Sequence, residues 1–350
     1  MTLYGRVHLR SATWWCPRCR TLQTPLWEPL ALPPGTYTWA VGERAAHLGV
    51  LLPSFDRGAE SFAYLTGIAL SARELELCTE GVGAAYTLPE RSISAPPPRP
   101  DVVYVETDAV KVHFRDVPNP AEPFQEVKVF CTWSQTGAHV SAPRYWAGDT
   151  PWDTHLAALE TLTEWEGLRT ARVVVCLGDG APPLWTLLTA LDGTAVQILD
   201  WYHAQEHLLA VAKLLPDAPD WYEAQRTHLW EGRWRAVIRA LIGVARDGAT
   251  ADVQKAARTC AGYFWRHRRR LDYPTARARG YPIGSGRIES ACKLVVSQRC
   301  KGPGMRWRHA HAVQVLQARC AWLNADWRRA CRRWRATGHF APPTEVLAAA

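Results

Sequence analysis

Three acidic residues of this 350-residue chain stand out by position: one where a strand makes a carboxylate costly unless paired or metal-bound, one at a strand end, and one among cations that let it ionise easily. Asp108 interrupts the Val- and Tyr-rich run DVVYVETDAVKVHF. Asp179 closes the apolar run ARVVVCLGD and is followed by Gly180, Pro182 and Pro183, a strand end opening into a helix. Glu289 lies in GSGRIES, where two glycines allow a tight turn before a helix begins. Two or three carboxylates on a rigid scaffold suit hard Mg²⁺ or Mn²⁺ ions. Two such ions ~4 Å apart activate a water or a 3′-hydroxyl and stabilise the leaving oxygen in phosphoryl transfer. Each acid also has a plainer account. Asp179 caps the helix after it, Asp108 is a polar strand-edge position, and Glu289 answers the dipole of its own helix.

The charge distribution points to the substrate such ions would serve. The last hundred residues hold 20 Lys and Arg against 5 Asp and Glu, whereas the other 250 hold 21 against 28. The net charge of +8 is therefore gathered at one end, which suits a polyanion such as double-stranded DNA. The candidate DNA contacts are Arg266, Arg268, Arg269 and Arg270 in one cluster, and Arg287, Lys293, Arg299, Lys301, Arg306 and Arg308 around Glu289. A basic face without a ligand is the alternative. His203, in ILDWYH, belongs either beside the metals as a catalytic group or in the core, hydrogen-bonded to Asp200.

Of ten cysteines, only Cys16 and Cys19 form a CxxC pair. Such a pair holds half of a Zn²⁺ site, and no second pair with suitable spacing follows; a simple reduced pair is the other account. The remaining cysteines are scattered, several in apolar stretches, which is reduced intracellular usage. No run of ~18 apolar residues is present, so no transmembrane helix is expected. The start, MTLYGRVHLR, lacks the apolar centre of a leader, and a cytoplasmic, nucleoid-associated location is expected.

The elements that must position these groups follow from periodicity. Residues 94–100 (SAPPPRP) form a Pro-rich linker after an N-terminal domain of residues 1–93. Within that domain Gly58–Gly81 is predicted to be a helix-turn-helix, with Gly67 in the turn, Ser71 as N-cap, and a small core of Ala59, Leu65, Ile68, Leu75 and Leu77. Its second helix carries Glu74 and Glu76 against Arg73, so a structural or dimerising hairpin is as reasonable as a DNA reader. Residues 101–205 predict three strands (Asp101–Phe114, Glu126–Ser134 and a weaker one near Tyr145–Trp146), then a helix over Trp152–Leu168. A strand over Ala171–Asp179, a helix over Leu184–Leu191 and a strand over Ala195–Asp200 follow. That is an α/β fold with a mixed sheet. Residues 206–280 are helical in pattern. Residues 281–325 hold the last helix, with Glu289, interrupted near Gly302–Gly304, and 326–350 are a tail.

The segments VETDAV…EVKVF, CLGDGAPPLW, ILDWYH and GSGRIESACKLVVSQRCKGPGMRW, in this order, resemble those of the Kra-type family of bacterial insertion-sequence transposases, distantly similar to Mutator-like transposases. The likeness runs from about residue 10 to about residue 330, and the ordered set is far more specific than any one motif. It implies a ribonuclease H-like fold with a DDE active site. Asp108 would lie on the first strand, Asp179 at the end of the fourth and Glu289 on a late helix. Residues 206–280 would be the all-helical insertion, and Asp200-Trp-Tyr-His203 the family's Asp-x-x-His motif. The implied activity is metal-dependent cleavage at the ends of an insertion sequence and strand transfer into target DNA, by a homo-oligomer on DNA. Ala109 departs from the Gly usual after the first Asp. An inactive DNA-binding remnant or regulator, and a ribonuclease H-like nuclease, are the alternatives.

Overall fold

In a computed structural model, residues 1–8, 10, 12–23, 37–89 and 99–338 are described. Most of the Pro-rich stretch, and the chain from 339 on, lie outside them.

A short antiparallel hairpin, β1 (Trp14–Cys16) with β2 (Thr21–Gln23), precedes three helices: α1 (Trp39–Leu51), α2 (Phe55–Thr66) and α3 (Ala72–Ala85). The last two make the predicted helix-turn-helix. Gly67 ends α2, and Ser71 caps α3 in a reciprocal box with Glu74. Its core is built differently from the expected one. Phe62, Ile68, Leu75, Cys78 and Val82 are buried, Leu77 is half-buried, and Leu65, in the last turn of α2, projects into solvent at 69% exposure.

The Val-rich segments form a six-stranded mixed sheet from β3 (Val102–His113), β4 (Phe124–Thr136), β5 (His139–Val140), β6 (Arg144–Gly148), β7 (Val173–Gly178) and β8 (Val196–Leu199). The order is β5-β4-β3-β7-β8, with β6 also paired to β4. β3, β4 and β6 are antiparallel neighbours in a meander; β7 and β8 add parallel to β3. The parallel half needs crossovers, supplied by α4 (Leu156–Glu166) before β7 and α5 (Pro182–Leu191) before β8. VVVCLG of β7 is buried along nearly its whole length, as a strand covered on both faces must be.

Five helices then leave the sheet: α6 (Trp201–Ala212), α7 (Ala218–Trp230), α8 (Trp234–Asp247), α9 (Ala251–His267) and α10 (Tyr273–Ala278). The chain returns through α11 (Gly286–Ala291), which runs on as a π-helical stretch, Cys292–Ser297, and one last turn, Gln298–Cys300. α12 (His309–Leu323) and α13 (Trp327–Thr337) close the described chain. The predicted tail thus begins as a helix, because Ala330, Cys331 and Trp334 form a buried stripe at helical spacing.

α13 and α12 pack on the N-terminal helices. Trp334 meets Trp39 edge to face at 4.9 Å, and the Tyr86 hydroxyl donates to Asp326 (3.0 Å), which also holds Arg144 (3.0 Å). One apolar core therefore spans residues on both sides of the Pro-rich stretch. No helix of the described residues is long and apolar enough to cross a membrane.

Candidate active site

Strand register brings the first two acids together. In the parallel pair β3–β7, Glu106 lies opposite Leu177. The pairing stops there; Asp108 follows two residues on along β3 and Asp179 just past the end of β7, and their charges interact. In β7–β8, Gly178 lies opposite Leu199, and the amide of Asp200 donates to the Gly178 carbonyl (2.9 Å). Asp108, Asp179 and Asp200 thus line the edge where the parallel strands end, the usual place for functional groups in such sheets. The Asp179 turn is braced from the helices that follow β8, since the Tyr263 hydroxyl of α9 donates to the Asp179 carbonyl (2.9 Å). Gly180 is required there: its φ is +102°, and a Cβ would meet the Tyr263 hydroxyl at 2.8 Å.

Glu289 reaches the same edge across a long stretch of chain because two buried acids clamp the turn before it. Asp200, fully buried, accepts through Oδ2 from the Ser285 amide (2.6 Å). Glu106, 1% exposed, accepts through Oε2 from the Ile288 amide (2.8 Å), a first-turn N–H of α11. The Ser285 hydroxyl in turn donates to Glu289 Oε1 (2.8 Å). One turn further, the Cys292 thiol contacts Asp108 Oδ2 at 3.8 Å. The π-helical stretch begins at Cys292, where a wider turn re-aims side chains against β3.

The electrostatics of the cluster are those of crowded acids. Burial pushes Asp108 above the usual carboxylate range, with the Asp179 charge adding to it and the Ala109 amide and His203 opposing. Burial likewise pushes Glu106 up to about 8, reinforced by Asp200 and Glu289. Asp200 behaves oppositely. Burial works against its charge, but hydrogen bonds from His203 and Ser285 outweigh burial and hold it low. His203 is raised to about 9, first by its hydrogen bond to Asp200 and then by the charges of Asp200, Asp179 and Glu206, against the cost of burial. Its Nδ1 lies 3.2 Å from Asp200 Oδ1, so the expected pairing with Asp200 is present, but the ring is 39% exposed rather than in the core, and the Asp179 charge also acts on it.

The donor set suits a hard cation. Asp108 and Asp179 each spend one oxygen on a nearby amide, Ala109 (2.7 Å) and Ala181 (2.9 Å), and among the described residues the second oxygen of Asp179 accepts no hydrogen bond. Asp179 is therefore a local cap as well as a presented acid, although the N-cap residue of α5 is Ala181. The three acids are not drawn into a single-ion grip. Among the described residues, the group of three ligand side chains within 4.8 Å of one another is Glu76, Glu80 and His311, elsewhere in the fold. At the CxxC hairpin, Cys19 contacts the Thr21 hydroxyl (2.9 Å), which with Cys16 lowers its thiol below the usual range. No third described ligand joins Cys16 and Cys19 at that spacing.

The ten expected DNA contacts divide. Arg266, Arg268, Arg269 and Arg270 line a cleft of about 810 Å³ along the free edge of β8. Arg266 and Arg269 are exposed, whereas Arg270 is spent on the fold, donating to Gln197 (2.7 Å) and lying 4.1 Å over Trp185. Arg287, Lys293, Lys301, Arg306 and Arg308 are exposed. Arg299 departs from expectation. It is 1% exposed, donates to the Gly49 carbonyl (2.8 Å) and lies 3.9 Å over Phe55, which ties the turn Gln298–Cys300 to the N-terminal helices and keeps Arg299 from any surface ligand.

Sequence reasoning missed Glu106, Ser285, Cys292 and Tyr263. Glu106 was within reach of it, since two residues before Asp108 in a strand means the same face. The other three depend on chain returning from far away. Comparison of the chain with protein-family models and with curated proteins finds no match.

Proposed function

We propose that this chain is a DNA transposase of the DDE type on a ribonuclease H-like fold, cutting the ends of an insertion sequence and joining them to target DNA. One observation carries this: the parallel pairing of β3 with β7 stops at Glu106 and Leu177, and just beyond that point Asp108, within β3, and Asp179, past the end of β7, lie close enough for their charges to interact. Glu289 is brought to the same edge by a turn clamped on Asp200 and Glu106. The order of elements supports it too. The first acid is on the first long strand, the second follows the strand after the antiparallel meander, and the third is on a helix reached through a helical insertion, as in the Kra-type family that the motifs resemble.

Asp108, Asp179 and Glu289 would hold Mg²⁺ or Mn²⁺, which when bound activates the attacking oxygen and stabilises the leaving one. His203, kept protonated near neutral pH by Asp200, presents a cation beside the acids, where it can donate to a phosphate oxygen. Asp200 holds both His203 and the Ser285 turn, so it sets the geometry without touching substrate. Arg266, Arg269, Arg287, Lys293, Lys301, Arg306 and Arg308 bind the phosphate backbone of double-stranded DNA, element ends and target alike. The working species is a homo-oligomer assembled on DNA. Incubating the full chain with its native flanking DNA and Mg²⁺ tests this: nicks at the element ends and joined products are expected.

A second reading, an inactive DNA-binding remnant, is favoured by the wider spacing of the three acids and by Ala109. Binding without any cleavage in Mg²⁺ or Mn²⁺ would decide for it.

A further inference from the structure

Away from the acids of the sheet, three side chains converge where the N-terminal helices meet the C-terminal ones. Glu76 and Glu80 are one turn apart on α3 and share a face. His311 lies in the first turn of α12. Their ligand atoms all lie within 4.8 Å of one another.

Two further observations distinguish this group from an ordinary acidic patch. The Glu80 side chain is 0% exposed, and its Oε2 has no hydrogen-bond partner, an expensive arrangement for a carboxylate. Its other oxygen is taken by His311 Nδ1. The backbone spacing is also rigid. Three residues after Glu80, Gly83 presses so closely on α12 that a Cβ there would stand 1.7 Å from the carbonyl oxygen of Gln314, itself three residues after His311. The crossing fixes how far apart the two helices hold their ligands.

We propose that Glu76, Glu80 and His311 form a binding site for a divalent transition-metal ion of the Zn²⁺ class, joining α3 to α12. The donor set decides the class. Imidazole with two carboxylates suits Zn²⁺ and its neighbours, whereas Mg²⁺ and Ca²⁺ seek six or more oxygens. Bonds of ~2.0–2.2 Å in a tetrahedron need ligand atoms about 3.4 Å apart, so the side chains close by small rotations while the helices stay put. Glu76 and His311 are 25% and 20% exposed, so the ion enters from solvent and a water completes its shell. Arg73 contacts Glu76 at 2.6 Å and Glu80 at 3.8 Å. Its side chain is 46% exposed and turns outward when the ion enters. The ion takes over the Glu80 oxygen that accepts no hydrogen bond and that Arg73 meets at 3.8 Å, and it cross-links the two parts of the core.

The test uses the full chain carrying Cys16→Ser and Cys19→Ser, which removes the other soft site. It is stripped with chelator and held in excess Mg²⁺ to occupy the hard acids at the sheet edge. Calorimetric titration with Zn²⁺ and thermal melts are then run. One equivalent of Zn²⁺ binds and raises Tm by several degrees. His311→Ala and Glu76→Gln, both at partly exposed positions, weaken binding by about tenfold or more and abolish the rise, because each removes a ligand. Asp179→Asn leaves both readouts unchanged. No saturable Zn²⁺ binding, an isotherm unaltered by His311→Ala, or one abolished by Asp179→Asn would each overturn the proposal.

Discussion

Asp200 holds Ser285 through a 2.6 Å hydrogen bond between its buried Oδ2 and the serine amide, joining the end of β8 to the turn that precedes Glu289. Its other oxygen accepts from the His203 amide at 2.7 Å and meets the ring at 3.2 Å. A single carboxylate thus organises two of the three segments around the candidate site.

Replacing it should show in the pH dependence of folding. Asp200 is held low, so its contribution is present above the ordinary carboxylate range and is lost on acidification. His203 is raised from 6.5 to about 9, so its contribution is complete below 6.5 and is lost as pH rises through about 9. The pair stabilises most between about pH 5 and 6.5. Asp200→Asn should cost about 2–4 kcal/mol there by denaturant titration, with the deficit narrowing above pH 9. A deficit that grows with rising pH would contradict the assigned pair.

The split among the arginines is open to a salt titration. Neutralising exposed Arg266 and Arg269 together should weaken DNA binding for any sequence and reduce the slope of log K against log salt by about 2. Arg299→Gln should leave that slope alone and lower folding stability by about 2–4 kcal/mol, because it strips a buried group from Gly49 and Phe55. A flattened slope for Arg299→Gln would show that it does reach DNA.

Much of this was legible from local pattern. The Val runs of β3 and β7, the turn at Gly67 with Ser71, and Asp179 at a strand end all follow from periodicity and capping. Arg299 was misread because a cation among cations looks exposed; only the packing of Phe55, at the start of α2, against Trp307, with the guanidinium over both rings, shows that it is not. The helix α13 was missed because its apolar stripe, Ala330, Cys331 and Trp334, is thin among so many arginines. Glu106 and Ser285 acquire their roles only when Ile288 and Asp200 arrive from distant chain, which no local window contains.

The close crossing of α3 and α12 gives a mutational contrast. Gly83→Ala places a methyl against the Gln314 backbone and should cost about 2–3 kcal/mol in chemical denaturation. Gly243→Ala, in α8 with nothing within 4 Å of the new Cβ, should instead stabilise by about 0.5–1 kcal/mol through helix propensity. Equal effects at the two positions would mean that the helices part easily at Gly83.

Asp179 is proposed to act on phosphodiester bonds through a metal. Asp179→Asn keeps the side chain's shape and the oxygen facing the Ala181 amide, but removes the charge that a hard cation needs. Gel shift and cleavage should be measured on the same native flanking DNA, first in Mg²⁺ and then in Mn²⁺. Asp179→Asn should bind as tightly as the parent or slightly tighter, while cleavage and strand transfer both fall by about a thousandfold or more. Asp179→Asn that binds and cuts like the parent would contradict it.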